Sequence, residues 1–255
     1  MTAGTFPGDP GKRKAILVLQ EHDIEKCAYE PGAAQALLDD EAYVMQFPLR
    51  HQGEIPLALQ NVFDAGLACP GNMLVQSPFD RDTYEEAAVA PQRFALAKHM
   101  YFSTLCMHLG AKEVVVEQIE LRTLSGKTTI DVKGERLGAS AQGSVESSEL
   151  EKFRAQMHLH DQFEGGPADV AAAERLLRRT GLWADPNMRT LIEMRRDGAN
   201  QLKSRRLVLS LSSEARSSLG VVGRIKVPAF VKLSAEYERV VKQQHDYTLT
   251  VTVKF

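Results

Sequence analysis

At residue 111 the spacing of apolar residues changes from 3.6 to 2, and this constrains the fold more than any other feature of the chain. Before it, "DTYEEAAVAPQRFALAKHMYFSTLCMHLGA" places Phe94, Ala95, Lys98, Tyr101, Phe102, Leu105 and Leu109 on one helical stripe, with Met100 and Met107 flanking. After it, "KEVVVEQIELRTL", "EKFRAQMHLHDQFEGG", "SRRLVLSLSS", "RIKVPAFVKLSAEYERV" and "YTLTVTVKF" alternate apolar with polar residues. Strands with one polar face belong to an antiparallel sheet, because parallel sheets are buried on both sides. The expected class is α+β: an antiparallel β-rich sheet with inserted short helices, and a long helix in the N-terminal half.

Residues 1–13, rich in Gly, Pro and charge, read as a disordered tail. Residues 14–110 read as a helix-rich lobe with strands at "KAILVLQEH" and "YVMQFPLR" and short helices at 32–41 and 57–65. Its long helix is expected to start at Asp82 or Thr83, to be kinked or divided by Pro91, and to stop at Gly110. Residues 111–255 read as a β-rich lobe with a helical insert at 168–197, the whole chain forming one compact unit.

The net charge of −2 conceals an asymmetry: +7 over residues 186–255 and −9 over the rest. A basic C-terminal third implies an anionic partner, whether nucleic acid, anionic lipid or the chain's own acidic half. Arg195, Arg196, Lys203, Arg205 and Arg206 concentrate that charge and are the candidate headgroup or phosphate contacts. Aromatic residues are sparse at 7%, which argues against base stacking and so against nucleic acid. Three separated cysteines (Cys27, Cys69, Cys106) and no C-x-x-C fit a reducing cytosol. No apolar run reaches 18 residues and the N-terminus lacks a signal-type apolar region, so the expected location is cytoplasmic.

No motif nominates a catalytic centre or a cofactor, and the expectation is a non-enzymatic protein. "SGKTT" at 125–129 resembles the end of a phosphate loop but runs into β-pattern residues. Cys106 lies beside the apolar stripe and reads as a buried, inert thiol. His158 and His160 read as neighbours on one strand face, about 7 Å apart. Metal sites use that spacing but need a third and fourth ligand. The pair therefore reads better as part of a solvated polar face with Arg154 and Gln162.

The C-terminal half has a characteristic order: a Gly/Ala/Ser-rich strand pair (127–164), short helices (168–197), "LVLSLS", an amphipathic hairpin (220–242) and a last strand. With "QGSVESS" at 142–148 and "LIEMRRDGANQLKSRRLVLSLS", this order resembles the N-terminal pore-forming domain of gasdermins, over about residues 115–255. The resemblance implies two extension regions, separated by a helical insert, that become membrane-spanning hairpins. One would turn Leu137, Ala139, Ala141 and Val145 to lipid; the other, Val227, Ala229, Val231 and Leu233. It implies a pore former acting on anionic lipid, homo-oligomeric and membrane-associated on activation. The alternative is a soluble β-rich scaffold or interaction module with a protein partner, whose strands simply form the sheet.

Overall fold

The computed structural model describes residues 6–29, 39–49, 54–124, 126–132, 143–196, 202–225 and 245–255. The first elements are β1 (Ala15–Gln20), α1 (Glu21–Tyr29), β2 (Ala42–Phe47), α2 (Leu57–Asp64), β3 (Met73–Gln76) and β4 (Tyr84–Glu86). Then come α3 (Ala90–His108), β5 (Glu113–Thr123), β6 (Gly126–Asp131), α4 (Gly143–Gln156) and β7 (His160–Gln162). The chain continues with α5 (Val170–Arg179), α6 (Pro186–Arg196), β8 (Ser204–Ser210), α7 (Ala215–Arg224) and β9 (Asp246–Lys254). The class is α+β, as the change of period predicts. The sequence reading divides the chain at 110. Its contacts instead group Met1–Arg93 with Ala215–Lys242, and Phe94–Glu214 with Gln243–Phe255.

The first unit holds a sheet in the order β2-β1-β3-β4. β1 pairs with β2 in parallel and with β3 antiparallel. Its run "AILVL" is buried throughout, as a central strand covered on both faces requires. Phe6, Ile16, Val18, Tyr43, Met45, Leu59, Val62, Leu74 and Tyr84 form the core. Residues 6–13 are ordered rather than a tail: Phe6 packs edge-on to Tyr43, and buried Arg13 bonds Asp82 at 2.7 Å. The expected helix at 32–41 lies largely outside the described residues. The long helix begins at Ala90, not at 83, because Tyr84–Glu86 pair with β3. Pro91, lacking an N–H, then occupies the first turn instead of kinking the interior.

The second unit holds the order β6-β5-β9-β8, with β7 also on β5. All its pairings are antiparallel. A bulge between Val116 and Gln118 shifts the parity of β5, so Val114 and Val116 before it and Ile119 and Leu121 after it are all buried. Leu207, Leu209, Leu249, Val251 and Val253 are buried too, as their odd numbering predicts. Gly110 ends α3 at φ +76°, where a Cβ would come within 2.2 Å of the Gly166 carbonyl oxygen. Only glycine fits there.

Two expected strands are helical in part. "EKFRAQ" belongs to α4, whose buried Ser147, Leu150 and Phe153, followed by buried Met157 just past its end, recur at helical spacing while Ala155 is exposed. The alternation of Phe153, Ala155 and Met157 was accidental. Residues 215–224, which include the expected start of the second hairpin at 220, form α7 with Ala215, Ser218, Val221 and Val222 buried. Leu137, Ala139 and Ala141, like Val227, Ala229, Val231 and Leu233, lie outside the described residues, and so does the side chain of Val145.

Candidate functional site

β8 and β9 are neighbours in strict register, Ser204 opposite Lys254 through Ser210 opposite Thr248. The ladder continues one step beyond: the Leu211 N–H donates to the Tyr247 carbonyl at 2.8 Å, and the Tyr247 N–H donates to Ser212 Oγ at 2.9 Å. A tight turn would close such a hairpin. Here residues 211–245 join the strands instead, with α7 inside the connection.

The sheet's outer face is a ladder of neutralised charge. On β5, Glu113 meets Lys254 at 2.6 Å and His160 Nε2 at 2.8 Å. Glu117 meets Arg206 at 2.7 Å and accepts the Thr252 hydroxyl at 2.8 Å. Glu120 meets both Arg122 and Lys127 at 2.7 Å. Hydrogen bonds from Lys254 and then His160 hold the Glu113 carboxyl below the usual range.

The five candidate basic residues do not form one headgroup clamp. Arg195 is buried, donates to the Leu109 and Leu202 carbonyls at 3.0 and 3.1 Å, and stacks on the Phe255 ring. Arg196 pairs with Glu174, and Arg206 with Glu117. Arg205 directs a guanidinium nitrogen at Met194 Sδ, 2.9 Å away, and Lys203 is exposed. Among the described residues neither Arg205 nor Lys203 has a carboxylate within ion-pair distance.

His158 and His160 do not share a strand face, because the strand begins only at His160. His158 offers its carbonyl to His99 Nε2 at 2.8 Å, and His160 is committed to Glu113. Among the described residues no three metal-ligating side chains converge. His99 is buried and its Nδ1 has no hydrogen-bond partner; burial pushes its pKa down. Cys106, fully buried, has its thiol pKa pushed up, which keeps it protonated and a poor nucleophile. Ser103 donates to Asp161, so the nearby His, Ser and Asp do not form a nucleophile–base chain.

The polar centre that sequence reasoning missed is Lys98. Its side chain is 0% exposed, and its ammonium meets Asp185 Oδ2 at 2.8 Å, Glu214 Oε2 at 2.7 Å and Ser213 Oγ at 3.0 Å. These three acceptors satisfy its three N–H bonds. Asp185 is itself fixed: its Oδ1 accepts the backbone amides of Asn187 and Met188 at the start of α6. The only sequence signal was a lysine inside an otherwise apolar stripe. Its partners lie 87 and 116 residues away, beyond the reach of any local pattern.

In comparisons with known proteins the chain matches no family model, no curated protein and no solved structure. Among the described residues no helix is long and apolar enough to cross a membrane.

Proposed function

We propose that the protein is a non-enzymatic, membrane-active β-hairpin former, cytoplasmic until it associates with lipid, and that residues 211–245 are its insertion segment. One observation carries this reading: the register of β8 and β9 is in phase with the alternation of the residues that join them. With that register carried through an extended hairpin, Val221 would oppose Tyr237 and Ile225 would oppose Leu233. Ala215, Leu219, Val221 and Ile225 would continue the face of Leu207 and Leu209, followed by Val227, Ala229, Val231, Leu233 and Ala235. Glu214, Arg216, Arg224, Lys226, Lys232, Glu236 and Glu238 would take the other face. Val222, Phe230, Arg239 and Val240 break the pattern.

About 17 residues a side, at roughly 3.3 Å each, exceed the ~30 Å hydrocarbon core. The charged face would line water, as the interior of a β-barrel pore does, which requires several copies of the chain. Anionic lipid would be met by Lys203 and Arg205, the two basic candidates without carboxylate partners among the described residues. The second candidate hairpin, 127–164, has less support, since α4 occupies its middle.

A second reading, a soluble scaffold with a protein partner, is favoured by the paired charges of the outer sheet face. Release of a trapped dye from anionic vesicles separates the two. The membrane reading predicts release that is weaker from zwitterionic vesicles; a scaffold releases none from either.

A further inference from the structure

Helix α7 is weak by sequence. "ARSSLGVVGR" holds two glycines, two serines and two valines in ten residues, a composition and length that do not sustain an isolated helix. The same residues alternate well enough to form a strand. Something outside the helix must hold it, and ion pairs stand at both ends. Glu214, immediately before Ala215, meets buried Lys98 at 2.7 Å. Arg224, in the last turn, pairs with Glu41, which also accepts Lys14.

The two carboxylates on Lys98 are not equivalent. One ammonium balances one carboxylate, so the second leaves the cluster with a net negative charge in a largely buried site. Asp185 is 7% exposed and pinned by two backbone amides, whereas Glu214 is 20% exposed and sits at the threshold of α7. Glu214 is therefore the member that can leave while the Lys98–Asp185 pair stays balanced.

We propose that Lys98 and Glu41 are electrostatic latches on α7, acting through Glu214 before its first residue and Arg224 in its last turn, so that neutralising Glu214 releases residues 211–225 while the rest of the fold stands. The purpose of such a release rests on the membrane-active reading, since a helix that must become a strand needs a point of opening. Its test does not, because it is made without lipid.

Hydrogen exchange on the full chain reads the latch directly. Glu214→Gln should speed exchange of the 215–224 amides about tenfold or more, leaving β8 and β9 protected. Arg224→Gln should act in the same direction, and the double variant should exceed either. Asp185→Asn should instead lower protection across β5, β8 and β9 together. Unchanged α7 exchange in both single variants would overturn the latch, because packing alone would then hold the helix. Identical behaviour of Glu214→Gln and Asp185→Asn would overturn the asymmetry on which the release depends. Vesicles that never leak, beside an α7 that opens on cue, would defeat the membrane reading and leave the latch intact.

Discussion

The Leu211 N–H reaches the Tyr247 carbonyl at 2.8 Å, one step past the last paired residues of β8 and β9. The two chains thus leave the sheet still in antiparallel register, and whatever joins them starts in the phase of a hairpin. Helix α7 interrupts that phase within five residues. Two tendencies therefore compete: the flanking strands and the sequence alternation favour extension, and the buried side chains of α7 favour a helix.

Replacing Lys98 by methionine keeps the length of the side chain and removes the charge that Asp185 and Glu214 face. Breaking a buried ion pair by removing one partner costs about 3–5 kcal/mol. Urea unfolding of Lys98→Met should show a loss of that order with an unchanged slope. A loss under 1 kcal/mol would mean that the carboxylates find water or other partners without strain.

His99 predicts a pH dependence with a definite sign. Burial depresses its pKa, so the folded state keeps the ring neutral where the unfolded chain already binds a proton. Its contribution is fully present above the unfolded value near 6.5 and is lost as pH falls below that value toward the folded one. Thermal stability should therefore decline as pH falls below about 6.5, and His99→Gln should flatten the decline. An equally steep profile in His99→Gln would assign it to other groups.

Charge removal should discriminate among the five basic candidates. Each basic residue near an anionic membrane contributes about 1 kcal/mol. Vesicle binding should weaken roughly thirtyfold in a Lys203→Gln/Arg205→Gln double variant, and it should weaken with salt. Arg195→Gln should cost stability instead, because its guanidinium satisfies two backbone carbonyls. Binding by sedimentation that ignores both salt and the double variant would remove anionic lipid as the target.

What could be read from the chain followed local period and punctuation. β9 was legible because Leu249, Val251 and Val253 alternate without a break, and α5 and α6 because their apolar residues recur at helical spacing between Gly and Pro signals. The four-residue strand β3 was not, since "MLVQ" is too short to show any period. Phe153 in α4 and Met157 just past its end satisfy both an i, i+4 stripe and an alternation, and tertiary packing decided between them. The five arginines and lysines looked like one patch because sequence proximity hides partners such as Glu117 and Glu174, supplied from elsewhere in the chain. The Lys98 cluster is the extreme case, being assembled from three distant segments.

The most direct test of the membrane reading is the periodicity of residues 215–225 on anionic vesicles. Single cysteines at successive positions, in a background with Cys27, Cys69 and Cys106 replaced, can carry an environment-sensitive fluorophore. A hairpin predicts a period of 2, with labels at Ala215, Ser217, Leu219, Val221 and Ile225 entering lipid and those at Arg216, Gly220 and Arg224 staying in water. Helix α7 as it stands in the fold has a different signature, with Ala215, Ser218, Val221 and Val222 shielded. A period of 3.6 that persists on vesicles, or no lipid signal at any position, would contradict the account.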